Sequence, residues 1–317
     1  MKDMTPMVSV LMPVYNGMPY LPLAVESILK QTFTDFEFII VNDCSTDSSI
    51  EYLQSLQDTR IVLVDLPRNL GVTGALQAGM KRVRGKYVAR LDADDIAKPH
   101  RLQTQVNYME HNPEIGLLGC SIEQIDSSGK VLKHINLSKD DLEIRWRMLF
   151  KNSFFHSTVI FRHSLILEHR LNYRLKYGED YQLWVEMLQF CKGTISSDEL
   201  IQYRKHQQSW TFNKSKQQLD SQLQTGVNQI KNLTQANDDT IKILIEWVRF
   251  NKVSNADLVI TKKLFIDLVN SFIMQHRSII TKIFLIDKLN FLRRRDGFFS
   301  LFNFRLLLIY RCLLFQK

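Results

Sequence analysis

Tyr87-Val88-Ala89-Arg90-Leu91-Asp92-Ala93-Asp94-Asp95 reads as a short, largely apolar strand that runs straight into three carboxylates. A brief apolar run bounded by polar residues suits a strand covered on both faces. Working back from it, Thr73 to Val83 has helical spacing and Ile61-Val62-Leu63-Val64 reads as a strand. Before these, Ser45 and Thr46 are placed to cap a helix to about Leu56, which follows the strand Phe36-Glu37-Phe38-Ile39-Ile40-Val41. Tyr20 to Lys30 is again helical in period, after the strand Val8 to Val14. Working forward, Pro99 is expected to open a helix to about His111. Ile115 to Ile125 is a further strand, closed by the turn Ser127-Ser128-Gly129.

Strand and helix in strict alternation predict an α/β fold, with a mostly parallel sheet and helices on both faces. In such sheets ligands bind beyond the carboxyl ends of the strands. Three polar clusters sit there: Tyr15-Asn16, Asn42-Asp43 and Asp92-Ala93-Asp94. They are expected to open into one crevice. Further on, the spacing predicts a helix near 140–150, a strand near 157–161, a helix over 181–190 and a strand over 200–204. From about Trp210 the pattern is almost entirely helical.

The 317 residues carry a formal net charge of +8 and are about 45% hydrophobic. This excludes a disordered or collagen-like chain. Cys44, Cys120, Cys191 and Cys312 form no CxxC pair, and the first residues lack an apolar leader core, so a reducing, cytoplasmic setting is expected. The charge is concentrated. Residues 282–317 hold eight basic and two acidic residues, +6, which leaves +2 for the preceding 281. That tail is also apolar, as in Phe298-Phe299-Ser300-Leu301-Phe302, but Asn303, Arg305 and Arg311 interrupt it. Two readings stand: a basic amphipathic helix lying in a membrane interface, or a helix packed on the protein with a solvated rim. No nucleic-acid motif accompanies the charge, so no nucleic-acid partner is expected.

Asp92 and Asp94, one residue apart at a strand exit, can both reach a hard divalent cation such as Mn²⁺ or Mg²⁺. An acidic turn capping the next helix would look the same. Context separates them. Pro13-Val14-Tyr15-Asn16, Val41-Asn42-Asp43-Cys44-Ser45-Thr46-Asp47, Asn69-Leu70-Gly71 and Ala89 to Asp95 appear in order. They are followed by Phe155-His156-Ser157-Thr158-Val159, Gly178-Glu179-Asp180-Tyr181-Gln182-Leu183-Trp184 and Tyr203-Arg204-Lys205-His206. The ordered series resembles the family 2 glycosyltransferases of the GT-A fold over roughly residues 7–210.

The resemblance implies a GT-A domain over 1–210, with a nucleotide-sugar half to about 125 and an acceptor half over 126–210. A helical region follows over 211–317. It implies an inverting, metal-dependent transferase that moves a sugar from a UDP-sugar to a hydroxyl of a glycan or lipid-linked glycan, in cell-surface polysaccharide synthesis. Pro13, Tyr15 and Asn16 would contact the base. Asp43 would accept from uracil N3–H, since a carboxylate only accepts. Asn42 stands where many relatives have another aspartate. Asn69 and Gly71 would line the nucleotide pocket, where Thr73-Gly74-Ala75-Leu76 replaces the family's usual basic residue, and Arg68 and Arg90 would either substitute for it or be surface or packing arginines. Asp92 would bind ribose or metal, Asp94 would be the principal metal ligand, and His206 would complete the metal or diphosphate site. Asp180 would be the general base, Trp184 would either stack on the acceptor sugar or belong to the core, and His156 would shape the acceptor side or be structural. Competing readings are a sugar-phosphate nucleotidyltransferase, whose Gly-rich turn Pro13-Val14-Tyr15-Asn16-Gly17 does not supply, and a membrane-peripheral scaffold. A scaffold would not need Asp43, Asp92, Asp94 and Asp180 intact.

Overall fold

The structure, a computed structural model, describes residues 5–206, 215–250 and 254–276. Its nine-stranded sheet comprises β1 (Val8–Val14), β2 (Phe36–Asn42), β3 (Ile61–Asp65), β4 (Tyr87–Arg90), β5 (Ile96–Ala97), β6 (Ile115–Ile125), β7 (Val131–Ile135), β8 (Ile160–Arg162) and β9 (Lys192–Arg204). The order is β3-β2-β1-β4-β8-β6-β9-β5, with β7 also beside β6. β3, β2, β1 and β4 are mutually parallel, as are β6 and β9, while β8 runs antiparallel to both β4 and β6. From β1 the chain builds outward to β2 and β3, then returns to place β4 on the other side of β1. That reversal leaves a crevice at the strand ends. Register fixes its floor: Val14 lies beside Asn42, Asn42 beside Asp65, and Leu11 beside Arg90.

Alternation along the strands explains the two-sided core. Val8, Val10, Met12, Phe38 and Ile40 pack with α1 (Leu21–Leu29), α2 (Ser49–Ser55) and α4 (Arg101–His111) on one face. Leu11, Ile39 and Val41 point the other way. They meet α3 (Gly71–Met80), α5 (Asp141–Met148), α6 (His163–Glu168) and α7 (Glu179–Met187). Both faces are thus covered by helices, as the apolar strand sequences require.

The elements differ from the sequence reading in instructive places. Ser45 and Thr46 do not cap α2; Ser48 occupies that position. Instead Ser45 Oγ accepts from Asn16 N at 3.0 Å, and Asn16 Oδ1 accepts from Thr46 N at 2.8 Å, so two loops knit together over the crevice. Pro99 precedes α4 by two residues rather than opening it. The segment expected as a strand over 157–161 begins as a 3-10 turn, His156–Thr158, and pairs only from Ile160.

After the sheet come α8 (Ser215–Thr234), α9 (Asp238–Phe250) and α10 (Asn255–Gln275). A first compact unit extends to Phe265 and a second begins at Ile266. Val227, Ile230, Ile241, Leu244, Ile245 and Trp247 of α8 and α9 are buried. Gln229 Nε2 donates to the Met148 carbonyl at 2.7 Å, and Arg249 Nε donates to that of Phe150 at 2.5 Å. No helix among the described residues is long and apolar enough to cross a membrane. The basic tail over 282–317 lies outside the described residues.

Candidate active site

The ends of β1 and β2 place the first set of side chains. Pro13 is half-buried, whereas Tyr15 (52% exposed) and Asn16 stand open above the crevice. Asn16 takes φ +51°, a left-handed conformation that asparagine tolerates better than most residues. Asp43 is only 2% exposed, and its Oδ1 accepts from Leu70 N at 2.7 Å. Burial pushes its carboxyl above the ordinary range, against the opposing pull of the Leu70 and Gly71 amides. Asp43 therefore holds the 69–71 loop against the end of β2. Within that loop Asn69 Oδ1 accepts from Gly71 N at 3.1 Å, and Gly71 starts α3 at φ +73° with open space where a Cβ would stand. Asn42 is turned away from any ligand: its Nδ2 donates to Asp65 Oδ1 at 2.7 Å. Arg68 is exposed.

Arg90 is the last residue of β4. It is 1% exposed, and its guanidinium is spent on Asp92 Oδ1 and the Leu91 carbonyl. Those contacts set it against Asp92 and the backbone at the end of β4. Ser157 Oγ donates to the other oxygen of Asp92 at 2.9 Å. Burial alone would raise the Asp92 carboxyl, but the Arg90 charge and the Ser157 hydrogen bond outweigh it and hold Asp92 below the usual range. The same network acts in reverse on His156. Burial, reinforced by Arg90, keeps its imidazole neutral, and Nε2 lies 3.1 Å from Tyr173 Oη.

Asp94 and His206, 112 residues apart in sequence, meet with Oδ2 and Nε2 at 2.9 Å. The pairing of β9 with β5 brings the chain back to this point. The His206 ring packs 4.8 Å from that of Tyr20, itself covered by the Arg204 guanidinium at 4.6 Å. Asp95 lies beneath. Its Oδ1 accepts from Arg204 N at 2.8 Å, while Oδ2 is buried without a partner. Burial and the neighbouring Asp94 and Asp92 charges push its carboxyl well up. Asp94 and His206 thus bring one carboxylate oxygen and one imidazole nitrogen together at the end of the acidic turn. That chemistry fits Mn²⁺ or Mg²⁺.

Asp180 sits in the first turn of α7, after Gly178 in the left-handed region. Its Oδ1 accepts from Tyr181 N at 2.7 Å and its Oδ2 from Asn152 Nδ2 at 2.7 Å. Burial raises its carboxyl to about 6, with Asp92 adding to the push and Arg90 opposing it. Asp180 and Asp92 are therefore within electrostatic reach of one another. Glu179, 8% exposed, is raised further, to about 8, by burial and by Asp180. Trp184 is fully buried among Phe154, Phe161, Tyr173 and His156, so it belongs to the core and offers no face to a sugar. Asn152 and Ser157, which hold the two key carboxylates, were not singled out in the sequence. Ser157 follows His156 directly in a quoted motif, but Asn152 sits in a loop with no periodic signal.

Residues 9–167 match the profile described as Glycosyl transferase family 2. An uncharacterised glycosyltransferase of Haemophilus influenzae is 34% identical, over 63% of this chain and 66% of that protein. The amylovoran biosynthesis glycosyltransferase AmsE of Erwinia amylovora is 33% identical, over 67% of this chain and 84% of that one. Among solved structures, Staphylococcus aureus TarS 1–349 in complex with UDP-GlcNAc superposes with a TM-score of 0.61 at 17% identity, covering 84% of this chain and 80% of that one. At that identity the likeness shows a shared GT-A-type fold. With half of the chain inside the family profile and its sheet built on the same plan, the protein belongs to glycosyl transferase family 2.

Proposed function

We propose that this glycosyltransferase is an inverting, metal-dependent enzyme that moves a sugar from a UDP-sugar to a hydroxyl of a glycan or lipid-linked glycan. The observation that carries this reading is Asp180: a half-buried carboxylate raised to about 6, held by two hydrogen bonds within electrostatic reach of the Asp92-Ala93-Asp94 turn. A general base works best when its pKa lies near the operating pH. Asp180 takes the proton of the acceptor hydroxyl as that oxygen bonds to the anomeric carbon. The bond from that carbon to the diphosphate oxygen breaks on the opposite face, and UDP departs with the electron pair. One displacement without a covalent intermediate inverts the anomeric centre.

Asp43 accepts from uracil N3–H, Tyr15 and Pro13 flank the base, and Asn16 with the Asn69–Gly71 loop closes over the nucleotide. Asp92 contacts ribose or metal, held ionised by Arg90 and Ser157. Asp94 and His206 hold the divalent ion, which when bound supplies positive charge to the leaving diphosphate. The relative named for amylovoran biosynthesis supports a biosynthetic glycan as acceptor. The +6 tail supports work on an anionic, cytoplasmic membrane face. Titration calorimetry of UDP with and without Mn²⁺ tests the metal assignment. Mn²⁺ should tighten binding to the parent by tenfold or more, and Asp94→Ala should abolish that gain. An equal gain in the variant would overturn it.

A further inference from the structure

Asn152 lies in the loop between α5 and the His156–Thr158 turn, and two hydrogen bonds fix which way its amide points. Its Oδ1 accepts from Phe154 N at 3.1 Å, so its NH₂ is committed to the other side, where Nδ2 donates to Asp180 Oδ2 at 2.7 Å. The anchor is firm. Phe154 is buried, with its ring 6.4 Å from that of Trp184, and Ser157, three residues further on, donates to Asp92. The second oxygen of Asp180 is tied to its own helix at Tyr181 N. A carboxylate needs two points to fix its plane. Here the backbone supplies one, and Asn152, from a separate element, supplies the other.

We infer that Asn152 is the positioning residue of Asp180, orienting its carboxylate and stabilising its ionised form while leaving a lone pair on Oδ2 free for the acceptor proton. The inference rests on the reading of Asp180 as the base. Several other groups face this carboxylate: Glu179 on its own helix, Asp92 and Arg90 from the end of β4, and Tyr173 from the loop before α7. Of these, Glu179, Asp92 and Tyr173 cannot donate a stabilising charge, and Arg90 is already committed to Asp92. Asn152 is the neutral donor that offsets them at hydrogen-bond distance.

The test needs no ligand. Full-length protein labelled with ¹³C at aspartate carboxyls is titrated by NMR, with the Asp180 resonance identified by its loss in Asp180→Asn. Asn152→Leu removes the donor at similar size, and the Asp180 midpoint should rise by about one pH unit or more. Asn152→Asp, which is isosteric and adds a negative charge, should raise it further and carries the test should the leucine variant not fold. An Asp180 midpoint equal to the parent's in the folded variants would overturn the proposal, since a merely structural asparagine would leave it in place. The reading beneath it is checked separately by release of UDP from UDP-glucose, UDP-galactose and UDP-GlcNAc. If Asp180→Asn matches the parent in all three while UDP still binds, Asp180 is not the base and the role given to Asn152 falls with it.

Discussion

Glu179 and Asp180 are adjacent acids at one helix start, yet burial separates them, with one raised to about 8 and the other to about 6. The difference divides their consequences. Asp180 must be ionised to accept a proton, so turnover should fall as pH drops below about 6 and level off above it. Asp180→Asn should keep UDP affinity within about twofold, yet lose about 10²-fold or more in transfer, the range of general-base contributions. Calorimetry and a UDP-release assay check the pair of outcomes. Glu179 acts on stability. Its folded carboxyl holds a proton that the unfolded chain releases near 4.5, so its contribution is complete below 4.5 and is lost as pH rises to about 8. Melting temperatures between pH 5 and 8 should therefore fall in the parent and much less in Glu179→Gln. At this scale the sequence marks carboxylates at strand exits and a helix start, Asp43, Asp92, Asp94 and Asp180, and the fold keeps each of them at such an end. It said nothing of Asn152, because a loop asparagine has neither period nor charge to mark it. For Arg90 it left a diphosphate contact and a packing role both open, because strand alternation does not reveal which arginine a neighbouring carboxylate will claim.

Among the elements, those with a clean period were readable and those shaped by partners were not. β1 to β4 are apolar on both faces and announce themselves. Most of the 13 residues of β9 alternate irregularly around Ser196-Ser197-Asp198-Glu199, and only the last five read as strand. Their extended form is imposed by pairing with β6, whose register shifts three times along the ladder. β7 is exposed at four of its five positions and shows no apolar face to detect. In α8 the telling residue is Gly226. A Cβ there would lie 2.8 Å from the Leu149 carbonyl oxygen and 3.0 Å from Ile245 Cδ1. Alanine should gain about 1 kcal/mol in helix propensity. It should lose about 1–3 kcal/mol to overpacking, since a backbone oxygen cannot swing aside as a side chain can. Gly226→Ala should therefore lower the urea midpoint; a rise would show that α8 sits less tightly on α5 than these distances state.

At the scale of the molecule, the question is where the folding unit stops. The family profile ends at residue 167, whereas the first compact unit extends to Phe265. The six buried side chains of α8 and α9 are each worth about 1.5–3 kcal/mol of burial, an upper estimate in this sum. Together they reach about 9–18 kcal/mol, comparable with the whole stability of an ordinary domain at about 5–15 kcal/mol. A chain ending at residue 210 should therefore fail to give a cooperative thermal transition. A chain ending at 281 should melt like the parent and bind UDP equally, while losing flotation with anionic vesicles. Flotation that survives would assign the tail's charge to a solvated surface. One contact gives the helices a further meaning. Ser221 Oγ on α8 donates at 2.5 Å to the Tyr177 carbonyl, one residue ahead of the glycine from which α7 departs. A chimera that grafts another relative's C-terminal helices onto this sheet would thereby inherit a different tether on the turn carrying Asp180. Swaps made to change the acceptor would then also alter what holds that turn in place.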